Sequence, residues 1–138
     1  VHGHGTGTVI LSVRQCPDLV PALAVRAALR AGETTHIVDA ARLRLKESDR
    51  LEAVTAELNK LGAQVEQTPD ALIIHGVSRL HGGTCDSHGD HRIAMMLAVA
   101  ATCANGVVEV TGAESVAKSY PNFWEDYEQL GGTIARTE

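Results

Sequence analysis

Segments of strand length alternate with segments of helix length twice along this chain, and that order commits it to an α/β arrangement. TVILSV (8–13) reads as a strand. A helix over about 18–31 follows, with Pro21 in its opening turn and Gly32 placed to end it. THIVDA is the next strand, and RLRLK (42–46) extends it. The second helix carries Leu51, Val54, Leu58 and Leu61 at three- and four-residue spacing, with Asp49 and Glu52 as a capping box and Gly62 as its stop. AQVEQ and ALIIHG bracket the turn signal TPD as a hairpin, completing a β-α-β-α-β-β unit over residues 8–76. After a glycine-containing loop around HGG the order restarts, and residues 82–136 hold most of a second unit: GTCDS, helix DHRIAMMLAVAATCA, GVVEVTG, helix PNFWEDYEQL and GTIAR. Two copies are too few to stack as a solenoid, so the expectation is one partial domain over 8–138 behind a glycine-rich leader or linker at 1–7.

Composition narrows the function. Hydrophobic residues make up 44% of the 138 but aromatics only 3%, so the core must be aliphatic, with Met95 and Met96 in it and Phe123, Trp124 and Tyr127 packing the last helix. Twelve Lys and Arg against 17 Asp and Glu give a formal charge of −5, which argues against coating nucleic acid or an anionic membrane; any anion site must be local. Three cysteines without CxxC spacing fit a reducing compartment. Cys16 and Cys103, beside apolar segments, read as small buried hydrophobes. No apolar run spans a bilayer and no signal-peptide order opens the chain, so the expectation is a soluble, cytoplasmic protein. His88 and His91 with Cys85, Asp86 and Asp90 are metal-ligand types, but their spacing fits no common zinc pattern, and no metal is expected.

The positive charge is where the chemistry concentrates. In RLRLK, alternation puts Arg42, Arg44 and Lys46 on one face and Leu43 and Leu45 on the buried other. Arg50 follows in a helix first turn, where the dipole disfavours a cation by roughly 0.3–1 kcal/mol. His91 and Arg92 repeat the oddity at the next helix, and Lys118 stands just before the helix opened by Pro121. If the helices pack the same way round, these entrances gather on one rim, and Lys, Arg and backbone N–H groups form a pocket for phosphate or carboxylate. The competing expectation is local pairing on a solvated surface, Arg50 with Glu47 and Arg92 with Asp90. Glu47, a carboxylate among cations, is either a general acid or base beside a bound anion or an ion-pair partner.

RLRLKESDRL, DSHGDHRIAMMLAVAA and AKSYPNFWEDYEQLGG, in this order and spacing, resemble the C-terminal part of the EPSP synthase (3-phosphoshikimate 1-carboxyvinyltransferase) family, over residues 8–135. The resemblance implies a fold of repeated β-α-β-α-β-β units, in a chain about a third of the family's usual length. It implies transfer of the enolpyruvyl group of phosphoenolpyruvate to the 5-hydroxyl of shikimate 3-phosphate through a tetrahedral intermediate, without metal or organic cofactor. Lys46 then matches a lysine that contacts shikimate 3-phosphate, Glu47 the glutamate of proton transfer, and Arg50, Arg92 and Lys118 the phosphoenolpyruvate-binding cations, with His91 beside them. Glyphosate, which takes the phosphoenolpyruvate place in sensitive members, is expected against the same cations. Two positions depart from the pattern: Ser12 stands at the family's aspartate base, and Arg42 where some members carry an asparagine. The N-terminal domain that grips both substrates in the family is the expected partner, and catalysis by this stretch alone is not expected. The alternative is a noncatalytic anion-binding domain on the same scaffold. A related enolpyruvyl transferase acting on a nucleotide sugar is disfavoured by the wording of KESDR and DHRIAM.

Overall fold

The computed structural model describes residues 7–46, 48–118 and 120–129, the side chains of 115, 117 and 118 excepted. The first unit runs β1 (Gly7–Ser12), α1 (Val20–Ala28), β2 (Glu33–Val38), α2 (Arg50–Lys60), β3 (Gln64–Thr68) and β4 (Ala71–His75). The second runs β5 (Leu80–Asp86), α3 (His91–Thr102), β6 (Ala104–Thr111) and α4 (Phe123–Gln129). The expected GTIAR strand and most of the leader lie outside the described residues.

Two sheets result. In the first, in the order β1-β2-β4-β3, the α1 crossover makes β1 parallel to β2, while β3 and β4 form the hairpin and β4 pairs antiparallel to β2. In the second, α3 makes β5 parallel to β6. Ser12 pairs in register with Val38, so the loops that follow β1 and β2 leave the sheet at the same edge. The core joins both units: Val20, Ala24 and Ala28 of α1, Leu51, Val54 and Leu58 of α2, and Ile93, Leu97 and Ala100 of α3 are buried together with Ile37, Leu72 and Ile74 of the first sheet. Met96 belongs to this core, whereas Met95 is half-buried. Tyr127 donates to the Ala98 carbonyl at 2.9 Å and Trp124 to that of Ala113, fastening α4 and the 3-10 turn at Ala113–Lys118 to α3.

Local chemistry sets the helix boundaries. Asp49 caps α2 by accepting from the Glu52 N–H, and Gly62, at φ +94°, supplies the left-handed residue after its end. Only that half of the expected box is formed as expected, because the Glu52 carboxylate accepts from Gln67 instead.

Three sequence expectations are corrected. RLRLK is not an extension of β2: residues Ala41–Leu45 form a 3-10 turn that buries Leu43 and leaves Leu45 87% exposed. The cause is Arg44, which donates to the Thr68 and Pro69 carbonyls, to Gln67 and to both oxygens of Asp49, folding the segment back onto the β3–β4 hairpin. Nor is HGG a loop, since β5 starts at Leu80 and passes through it with an irregularity between His81 and Gly83. Gly82 lies so close to β6 that a Cβ there would stand 2.4 Å from the Val107 carbonyl oxygen. Finally, Cys103 is exposed and Cys16 half-buried, while Cys85 is the buried thiol.

Candidate functional site

Among the described residues, one exposed carboxylate lies against three of the predicted cations. Asp18 sits in a 3-10 turn, Pro17–Leu19, in the loop between β1 and α1. Its Oδ1 lies 3.1 Å from Arg50 Nη1 and 3.9 Å from Lys46 Nζ, and its Oδ2 lies 3.7 Å from Arg92 Nη2. Lys46 closes the 3-10 turn after β2, Arg50 opens α2 and Arg92 lies in the first turn of α3. Three segments from both units therefore deliver positive groups to one point.

Arg50 is buried, and among the described residues it meets two carboxylates far away in the chain, Asp18 and Asp90. Its Nε and Nη2 donate to Oδ2 and Oδ1 of Asp90 at 2.8 and 3.1 Å, a bidentate pair spanning 40 residues. Asp90 has a side-chain exposure of 0% and also accepts from Ser48 Oγ at 2.8 Å and from the Arg92 N–H at 2.9 Å, the last of these capping α3. Burial pushes the Asp90 carboxyl up, but hydrogen bonds from Arg50 and Ser48, the Arg50 charge and the Arg92 N–H outweigh it, and the group is held below the ordinary aspartate value. The polypeptide thus supplies part of the compensation expected from a ligand. The α3 entrance also spends a backbone N–H on its own aspartate, so an incoming anion meets guanidinium and ammonium groups. Among the described residues, no group of three or more His, Cys, Asp or Glu is arranged to hold a metal ion.

The other predicted residues divide. His91 is the half-buried first residue of α3, next to Arg92. Lys118 ends the 3-10 turn that packs on α3, but its side chain lies outside the described residues, as does the whole of Glu47. Ser12, at the end of β1, donates from Oγ to Asp39 Oδ2 at 2.6 Å. Asp39 is a left-handed residue, φ 62°, bridged also to Arg14 at 3.2 Å, and the Ser12 hydroxyl foremost holds its carboxyl low. Arg42 is exposed in its 3-10 turn.

Sequence reasoning missed Asp18 and the Arg50–Asp90 pair, because both bring together residues far apart in the chain. The visible signal for Asp18 was an acidic side chain directly after Pro17, at a helix entrance. A second buried carboxylate was missed as well. Glu57 of α2 accepts from Lys60, from the Asp86 N–H at 2.8 Å and from His88 Nε2 at 2.7 Å, which ties the β5–α3 loop to the first unit.

Comparison with known proteins adds three findings. The family EPSP synthase (3-phosphoshikimate 1-carboxyvinyltransferase) matches residues 2–127. The chain is 55% identical over 129 residues to the 3-phosphoshikimate 1-carboxyvinyltransferase of Clostridium kluyveri and 54% over 133 residues to that of Clostridium acetobutylicum, covering 94% and 96% of this chain. It spans 30% of the length of each of these relatives. Among solved structures, an EPSP synthase from Acinetobacter baumannii superposes with a TM-score of 0.84 at 36% identity, over 91% of this chain and 30% of that one. The enolpyruvyl transferase NikO from Streptomyces tendae superposes with a TM-score of 0.74 at 25% identity, over 96% and 29%.

Proposed function

Because the chain belongs to the EPSP synthase family, we propose that it contributes the phosphoenolpyruvate-facing half of an active site that transfers an enolpyruvyl group to shikimate 3-phosphate. The observation that carries this reading is the convergence of Lys46, Arg50 and Arg92 on Asp18 from three separate segments. Both substrates are polyanions, and cations fixed by a folded framework stabilise charge that builds on a departing phosphate. In this proposal Arg92 and Lys118 grip phosphoenolpyruvate together with Arg50, whose guanidinium plane Asp90 holds in place. Lys46 faces shikimate 3-phosphate, Glu47 moves the proton at the reacting carbons, and His91 stands beside them. The remaining substrate contacts belong to an N-terminal domain, and residues 8–76 and 82–136 act as two consecutive structural units. Among the described residues no helix is long and apolar enough to cross a membrane, which accords with the proposed cytoplasmic setting.

A second reading, a noncatalytic anion-binding domain, draws on Ser12. A hydroxyl at the position of the family's base, already donating to Asp39, does not take a proton as a carboxylate does. Phosphate release from phosphoenolpyruvate plus shikimate 3-phosphate separates the two. It is measured with this chain alone and then with a separately supplied N-terminal domain. Turnover in the mixture supports the enzyme reading, binding without turnover supports the second, and neither binding nor turnover rejects both.

A further inference from the structure

The two carboxylates at the cation cluster differ in a way that bears on how an anion enters. Asp90 is fully buried, and four hydrogen bonds from three residues fix it. Asp18 has a side-chain exposure of 51%, sits on a three-residue 3-10 turn and, among the described residues, makes one close ion pair, to Arg50, and two loose ones, to Lys46 and Arg92. Arg92 and Lys46 are themselves partly exposed, at 39% and 29%, so solvent reaches the place where these groups meet.

From this contrast we infer that Asp18 is an exchangeable internal anion: it occupies the place between Lys46, Arg50 and Arg92 in the unliganded protein, and a phosphate-bearing ligand must displace it. The inference deepens the proposed function and rests on its anion site. Among the described residues, Asp18 lies against three cations that an incoming anion would also need. A phosphate dianion then meets a carboxylate at a distance where like charges repel appreciably even with solvent nearby. Rotation of Asp18 into water removes that repulsion and exposes donors on three segments together. Asp90 has no such freedom, because releasing it strands a buried charge. Asp18 thereby sets a threshold: a ligand with one weak negative charge exchanges poorly for it, and a dianion exchanges well.

The test is direct titration of the 138-residue chain and its Asp18→Asn variant with inorganic phosphate, and separately with phosphoenolpyruvate, at fixed ionic strength. Calorimetry is read alongside the Arg Nε–Hε signals. Asp18→Asn should bind phosphate about tenfold more tightly, a difference of about 1.4 kcal/mol. Asp18→Ala should act in the same direction, and Arg92→Ala should lose the gain. Unchanged or weaker binding in both Asp18 variants overturns displacement and makes Asp18 a positioning group, while the anion site stands if Arg92→Ala still weakens binding. No binding by any of the proteins overturns the inference and the anion site together. Amide spectra of each variant check that the fold is retained.

Discussion

Replacing Arg50 with Met removes the guanidinium while keeping most of the stem that fills the core. Asp90 then stays fully buried without its counter-ion. Breaking a buried pair from one side costs about 3–5 kcal/mol. Here Ser48 Oγ and the Arg92 N–H still donate to Asp90, at 2.8 and 2.9 Å, so the low end applies, about 3 kcal/mol. For a domain of this size that loss lowers Tm by about 10 °C. Urea unfolding of wild type, Arg50→Met, Asp90→Asn and the double variant measures it. The double variant should lose less than the two single losses together, because two buried charges disappear at once. The pH dependence has a definite sign. The Asp90 carboxyl is held below its unfolded value, so its stabilisation is present above about 3.9 and is lost as pH falls through the lower folded value. The gap between wild type and Arg50→Met must therefore narrow in acid, where Asp90 becomes neutral. A loss under about 1 kcal/mol at pH 7, or single losses that simply add, refutes the reasoning.

Other consequences are as direct. Gly82→Ala drives a methyl against the Val107 carbonyl and should cost about 1–3 kcal/mol in urea unfolding; a neutral result means that β5 and β6 separate freely there. Burial pushes the Glu57 carboxyl up, but Lys60, the Asp86 N–H and His88 outweigh it and hold it low. Its stabilisation is thus present above the ordinary glutamate value and lost as pH falls below it, so Glu57→Gln should flatten the acid limb of the stability profile, and an unaltered limb would show the cluster to be inert. Burial first of all raises the Cys85 thiol to about 11, whereas Cys103 is exposed. Iodoacetamide should label Cys103 in the native protein and Cys85 only in denaturant, as read by mass spectrometry.

What the sequence disclosed was local. The leucine spacing of α2, the cap at Asp49 and the stop at Gly62 each depend on residues a few positions apart, and the structure places them as expected. The failures were of another kind. RLRLK alternates like a strand, yet carbonyls more than twenty residues away capture Arg44 and wind the segment the other way. The glycines of HGG look like a loop because their role, a close approach to β6, becomes visible only once both strands are placed. At the cluster, the entrance cations could be counted from the sequence, but the carboxylates that receive them could not. Nothing in local spacing links Asp18 to Arg50 or Arg50 to Asp90.

The double duty of Asp90 narrows what could replace it. Asparagine or serine at this position would still cap α3 but abandon the guanidinium; glutamate would keep the charge but reach a methylene too far for the first-turn amide. Its nearest chemical substitutes fail for opposite reasons, and replacing it alone leaves the buried Arg50 guanidinium without its bidentate carboxylate.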